Sequence, residues 1–229
     1  MKRIIALWLA ALMLAAQPVQ AAVCVGFGQN GSTPGWLETF DTASGYDSSG
    51  WTTVSGSPDP DSVTPPDPLT GSGQSLLIPI GDGVTSPNLG FSAASSWEFL
   101  INFDSVDNTA EQYIVTLNNS TGTVIARLTL RVDHTSRIYH GTALSASVTF
   151  AAGTTYHCWL DYTPSSGTGD GILRFYREAY TGSETKPGTP AASITTGTST
   201  TYADQLSLMS PNTSGGGSTH YDNISGYLQ

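Results

Sequence analysis

The chain has 229 residues, of which 18 are Asp or Glu and 8 are Lys or Arg, giving a net charge of −10. This balance excludes the broad positive footprint that a nucleic-acid partner needs. It also disfavours polyanionic ligands, unless a local arginine cluster overrides the net field.

In chain order, "MKRIIALWLAALMLAAQPVQAA" comes first, with a basic start at Lys2 and Arg3, an apolar run from Ile4 to Ala16 and a small-residue ending. That layout predicts a secretory signal peptide over 1–21, cut after Ala21, and hence a secreted protein: periplasmic, extracellular or held at the cell surface. The run is too short and wrongly flanked to span a bilayer, and no later segment is apolar enough to be a transmembrane segment. Cys24 lies near the cut, but Val23 stands where a lipoprotein signal places a small residue. Without Lys2 and Arg3, six basic residues face 18 acidic ones, a net charge of −12. The remaining 22–229 is long enough for one domain with a sizeable core. Cys24 and Cys158 both survive cleavage. In an oxidising compartment they pair as a disulfide tying the N-terminal segment to a central strand, the rival being a free, buried Cys158.

Helical signal is nearly absent after the leader, and apolar residues recur with period two, the mark of half-buried strands. Strands are predicted near 36–40, at 74–80, 97–103, 113–117, 123–132, 137–140, 146–150, 156–162, 171–177, 205–209 and 220–228. In 97–103, Trp97, Phe99, Ile101 and Phe103 share one face. In 123–132, Val124, Ala126, Leu128, Leu130 and Val132 point to the core, with Ile125, Arg127, Thr129 and Arg131 pointing away. In 156–162, Tyr156, Cys158, Leu160 and Tyr162 take one side and His157, Trp159 and Asp161 the other. Leu173 and Phe175 then look inward, with Arg174 and Tyr176 outward. Between these runs, 44–73 carries five prolines within 58–68, which remove ladder donors and predict a surface loop. The polar stretch 181–200 reads as a second loop. Many short strands joined by glycine-rich turns predict an all-β antiparallel sandwich, with the first strand beside the last.

The order of "LETFDTASGYDSSGW", "LTGSGQSLLI", "YHCWLDYTPSSGTGDGILRFY" and "HYDNISGYL" resembles the concanavalin A-like lectin/glucanase superfamily, in particular its laminin-G-like and jelly-roll carbohydrate-binding branches. The resemblance covers most of the chain after the leader. It implies two curved antiparallel sheets with one concave face, and frequent sugar binding. It also implies one calcium ion held by an acidic residue of the first strand and an Asp of the last, here Glu38, Asp41 and Asp222. The hard oxygen ligands suit Ca²⁺, and the ion would pin the termini together. The alternative for Asp222 is a surface turn beside Asn223.

Four residues form the candidate carbohydrate-binding set: Trp159, Tyr176, Arg127 and Arg131, lining a shallow groove if the non-core face is the concave one. Aromatic faces suit the C–H surfaces of sugars, and polar side chains suit their hydroxyls. The opposing expectation is that a loop covers this layer and Trp159 is packing. A glycoside hydrolase needs two facing carboxylates, and the sequence offers only a lone Glu98 and a lone Asp161. A polysaccharide lyase needs a cation to neutralise a uronate carboxylate and a Tyr or His to move a proton. Arg127, Arg131, His134, Tyr139 and His140 would be its set. The leading expectation is a non-catalytic, lectin-like module whose partner is a glycan or polysaccharide, with a structural or adhesive surface protein as the alternative.

Overall fold

A computed structural model describes residues 36–40, 50–56, 69–70, 74–107, 110–182, 184–212 and 217–229. The leader, Cys24 and Asp41 fall outside these residues. The described residues form strands β1 (Trp36–Glu38), β2 (Thr52–Ser55), β3 (Leu76–Ile78), β4 (Gly83–Thr85), β5 (Ser95–Phe103), β6 (Gln112–Asn118), β7 (Val124–Leu130) and β8 (Thr135–His140). They continue through β9 (Ala143–Leu144), β10 (Val148–Thr149), β11 (Tyr156–Thr163), β12 (Gly171–Ala179), β13 (Ala192–Gly197), β14 (Gln205–Met209) and β15 (Thr219–Leu228). No helix of the described residues is long and apolar enough to cross a membrane.

The strands pair throughout as antiparallel neighbours in two sheets. The seven-stranded sheet runs β1-β15-β5-β11-β12-β13, with β3 also on β15, and the eight-stranded sheet runs β10-β8-β7-β6-β14-β4-β2, with β9 on β8. The first described strand therefore lies beside the last, Trp36 opposite Gly226 and Glu38 opposite Ile224. The two sheets face each other across one apolar core, so the protein is an all-β sandwich of the jelly-roll kind.

The period-two pattern decides which side chains enter that core, because successive Cβ atoms of a strand point to opposite faces. Trp97, Phe99, Ile101 and Phe103 of β5 enter it together, as do Tyr156, Cys158, Leu160 and Tyr162 of β11 and Leu173 and Phe175 of β12. All nine residues of β5 are nonetheless buried, so the other face of this strand is covered too. In β7 the expected pattern holds only for Ala126, Leu128 and Leu130. The register with β6 breaks where Leu117 faces Ala126 and Asn118 faces Val124, which leaves Ile125 as an extra residue. A bulge of this kind shifts the alternation. Ile125 accordingly joins the core while Val124 is exposed, and Val132, beyond the end of the strand, is exposed as well.

Two predicted loops contain strands. The stretch 44–73 holds the exposed edge strand β2, and 181–200 holds β13, whose Ala192 and Ile194 are buried between exposed neighbours. The short strands β4 and β9 were also without a sequence expectation.

Cys158 sits fully buried in the core with no disulfide partner among the described residues, its expected partner Cys24 lying outside them, and burial pushes its pKa far above the usual thiol range despite the nearby Arg177 charge. With Cys24 replaced by serine, the Cys158 thiol is expected to stay silent to a thiol-reactive dye in the native protein and to react fully in guanidinium. Rapid labelling of the native protein would refute this burial.

Candidate functional site

The outward face of the eight-stranded sheet is built from the polar positions of its strands. The register places Tyr139 of β8, Arg127 of β7, Thr116 of β6, Ser207 of β14 and Thr85 of β4 in one row across five strands. The Arg127 guanidinium lies 4.4 Å from the Tyr139 ring centre and 4.9 Å from that of Tyr113. Both distances are within the range of cation–π attraction, so the two rings hold the charge between them. Tyr113 is 41% exposed.

Beyond Arg127 the row is joined by hydrogen bonds. Thr116 donates to Asn118 Oδ1 at 3.0 Å, the Asn118 amide donates to Ser207 Oγ at 2.7 Å, and the Ser207 and Thr85 hydroxyls meet at 2.6 Å. On the other side, Glu111 accepts from the Tyr139 hydroxyl at 2.6 Å and from Thr129 at 2.8 Å. Arg131 reaches Glu111 at 3.8 Å and Asp133 at 2.9 Å, and Arg137 donates to Ser147 at 3.1 Å.

Partial burial alone would raise the Glu111 pKa. The hydrogen bonds from Tyr139 and Thr129 and the charges of Arg131 and Arg137 outweigh it and hold the carboxyl below its ordinary value. The Tyr139 phenol is moved the other way, first by burial and then by its bond to the Glu111 carboxylate. It therefore stays protonated and donates. The face thus presents the 41% exposed Tyr113 ring and the Arg127 charge, with Arg131 and Arg137 beside them, whereas Thr116, Asn118 and Ser207 are buried and spend their polar groups on one another.

Trp159 and Tyr176 lie elsewhere. They are cross-strand partners on the outward face of the seven-stranded sheet, whereas Arg127 and Arg131 belong to the eight-stranded sheet and its turn. The four residues expected to share one groove thus sit on opposite sides of the sandwich. Trp159 is 1% and Tyr176 7% exposed, because described residues of the connection between β12 and β13, among them Tyr180 and Lys186, lie over them.

Beneath that segment is a buried polar cluster. His157 meets Glu98 through Nε2 at 2.6 Å, has Glu184 of the covering segment 3.8 Å from Nδ1, and stacks on Trp159 at 3.9 Å between ring centres. Asp161 takes a 2.7 Å hydrogen bond from Ser96 and a 2.5 Å ion pair from Lys186, whose ammonium lies 4.4 Å over the Tyr176 ring. Glu98 and Asp161 therefore share a face, but each is engaged with its own basic partner rather than facing the other across a gap.

The five residues of the lyase reading do not converge. Arg131 and Tyr139 meet at Glu111 and Arg127 lies over the Tyr139 ring, but His140 follows Tyr139 directly on β8 and so points the opposite way, into the sandwich. There it stacks on Tyr162 at 4.9 Å and lies 3.0 Å from the Thr163 carbonyl, and burial lowers its pKa. His134 sits in the β7–β8 turn at φ 60°, half exposed, 2.8 Å from Asp107.

Of the calcium set, Glu38 and Asp222 are both buried, on the paired strands β1 and β15, and Glu38 already accepts the Phe40 amide at 2.8 Å. No group of three His, Cys, Asp or Glu that could hold a metal occurs among the described residues. Two buried carboxylates on adjacent strands are the right donor chemistry for a hard cation. Asp41 is outside the described residues.

Tyr113, Thr116, Asn118, Ser207 and Thr85 were missed from the sequence, although the alternation of Thr116, Asn118 and Ser207 with apolar neighbours was an available signal.

No family model and no curated protein sequence matches the chain. Among solved structures it is similar over 86% of its length to a sialidase, at 13% identity with a TM-score of 0.58, spanning 19% of that protein. It is similar over 86% of its length to the whole of the marine PL-14 alginate lyase from Aplysia kurodai, at 10% identity with a TM-score of 0.51. It also matches, over 85% of its length, 47% of the receptor-binding domain of botulinum neurotoxin mosaic serotype C/D, at 9% identity with a TM-score of 0.53. At these identities the likenesses establish the sandwich fold, while function has to be argued from the side chains.

Proposed function

We propose that the chain is a secreted, non-catalytic carbohydrate-binding module of the concanavalin A-like kind, which holds a glycan on the outward face of its eight-stranded sheet. The observation that carries this reading is the Arg127 guanidinium between the Tyr113 and Tyr139 rings, continued by the Thr116–Asn118–Ser207–Thr85 row. The exposed Tyr113 ring offers an apolar face to the C–H surface of a sugar and the Arg127 guanidinium offers donors to its hydroxyls, while the buried Thr116–Asn118–Ser207 row fixes the sheet face beneath them. Arg131 is already paired with Glu111 and Asp133, whereas Arg127 makes no ion pair among the described residues, and its charge favours a glycan bearing a carboxylate. The names of the similar structures, a sialidase and an alginate lyase, are in keeping with a sugar partner. Glu38, Asp41 and Asp222 are the proposed calcium ligands, with a structural role in joining the first and last strands.

The test is a screen of residues 22–229 against neutral and uronate glycans, with calcium and again with EDTA. Tyr113→Ala is expected to weaken binding about tenfold, in line with the loss of one stacking and cation–π partner. Arg127→Ala is expected to weaken uronate glycans more than neutral ones. EDTA is expected to lower the melting temperature before it touches the sugar, since the proposed ion lies between β1 and β15 and not on the binding face. Absence of binding to every glycan, or binding that survives both substitutions, would remove this reading and leave an adhesive or structural role.

A further inference from the structure

At one end of the sandwich, where β6 and β14 meet, the chain forms a cleft of about 290 Å³ lined by Phe91, Asn119, Ser120, Thr200, Thr201, Tyr202 and Asp204. Small-ligand sites begin at roughly 300 Å³. The walls come from three separate connections, and each is fixed. The Asp204 carboxylate accepts the Phe91 amide at 2.7 Å, the Asp204 carbonyl accepts the Leu89 amide at 3.0 Å, and the Asp204 amide donates to the Asn118 carbonyl at 2.8 Å. The Tyr162 hydroxyl holds the Thr201 carbonyl at 2.6 Å, and the Phe91 ring rests on Trp97 at 5.3 Å. Asn119 Oδ1 closes the β6–β7 turn by accepting the Thr121 and Thr123 amides at 3.1 and 2.9 Å. The cleft is thus preformed, and a ligand entering it has little ordering of the protein to offset.

Its chemistry is specific. The Asn119 amide nitrogen, the Ser120 and Thr200 hydroxyls and the Tyr202 hydroxyl make no hydrogen bond to any described residue, although they surround one hollow. Tyr202 is 45% exposed at the rim, facing the same cleft as Phe91. No Lys, Arg or His lines it, and the one ionisable acid, Asp204, is buried and committed to the Phe91 amide. Two aromatic surfaces with neutral donors and acceptors match a ligand that is apolar on its faces and hydroxylated at its edge.

We propose that this cleft is a second, independent binding site for a single neutral pyranose unit, such as the terminal residue of an oligosaccharide. It needs none of the residues around Arg127, so either site can fail without the other.

The test uses residues 22–229 and the methyl glycosides of glucose, galactose, mannose and N-acetylglucosamine, followed by saturation-transfer NMR and calorimetric titration to about 50 mM, the weak end of specific sugar affinities. At least one glycoside is expected to bind. Tyr202→Ala should weaken it about tenfold. Asn119→Asp keeps the oxygen that closes the turn and removes the amide donor, so it should weaken binding with the melting temperature unchanged. Tyr113→Ala, on the other face, should leave this binding intact. No transfer to any of the four glycosides, or binding indifferent to both Tyr202→Ala and Asn119→Asp, overturns the proposal. Loss with Tyr113→Ala alone assigns the sugar to the Arg127 face and overturns it equally.

Discussion

Replacing His157 with alanine is expected to destabilise the fold by about 3–5 kcal/mol, the combined cost of leaving the buried Glu98 carboxyl without its hydrogen-bond partner and of the cavity left by the ring. For a domain of this size that corresponds to a fall in melting temperature of roughly 6–20 °C. The reason lies in what remains. Glu98 keeps its place at 2% exposure, having lost the His157 nitrogen 2.6 Å away, and Trp159 loses the ring stacked on it. Glu184, on the covering segment, loses its approach to Nδ1. The Tyr227 phenol stays protonated beside Glu98 and brings it no positive charge. Burial first, and then the negative charges of Glu98 and Asp161, push its pKa well above the ordinary phenol range.

Calorimetry on three variants separates the causes. His157→Gln retains a donor and should lose less than His157→Ala. Glu98→Leu combined with His157→Leu should recover much of the loss, since replacing both partners of a buried hydrogen-bonded pair by apolar side chains of similar volume often has little net cost. A His157→Ala variant that melts within a degree or two of the parent would mean that the cluster is solvated and the covering segment loose.

That cluster also explains which part of the site was legible in the sequence. Period two correctly assigned His157, Trp159 and Asp161 to the face opposite Cys158 and Leu160, and Arg174 and Tyr176 to the face opposite Leu173 and Phe175. Alternation reports which face a residue takes and says nothing about what covers that face. The covering segment comes from 180–191, a run of Gly, Ser, Thr and Pro that carries no periodic signal, and its anchors Glu184 and Lys186 are isolated charges in it. The same limit separated Trp159 from Arg127. Both point away from the core, but the core lies between them, and sheet membership is set by long-range pairing that strand periodicity does not encode. The Ile125 bulge is a third case, since one inserted residue moves an apolar side chain across the sheet without altering composition. β13 was hidden differently: the alternation of Ala192 and Ile194 was present, submerged in threonines that suit an edge strand and a loop equally.

Gly197→Ala should be the most damaging single-methyl addition at this end of the fold, costing about 3 kcal/mol or more, at the upper end of core overpacking. A Cβ built at Gly197 would lie 2.3 Å from Cγ of His140, and one at Gly171, its cross-strand partner, 2.6 Å from Nε2. His140 belongs to β8 of the eight-stranded sheet, while the two glycines belong to β12 and β13 of the other, so the imidazole fills a slot that joins the two layers. It cannot yield easily, because it stacks on Tyr162 and its Nε2 is held 3.0 Å from the Thr163 carbonyl. The backbone cannot yield either without breaking the register between β12 and β13. The decisive measurement is a double-mutant cycle in urea. His140→Ser alone should cost stability by opening a cavity. Adding Gly197→Ala to it should then cost far less than Gly197→Ala does in the parent, with a coupling of about 1–3 kcal/mol. Additive losses would show that the methyl group clashes with something other than the ring. In the sequence, Gly197 sits in "TTGTST" and has the look of a flexible connection. Its requirement is steric, set by a histidine 57 positions earlier on the facing sheet.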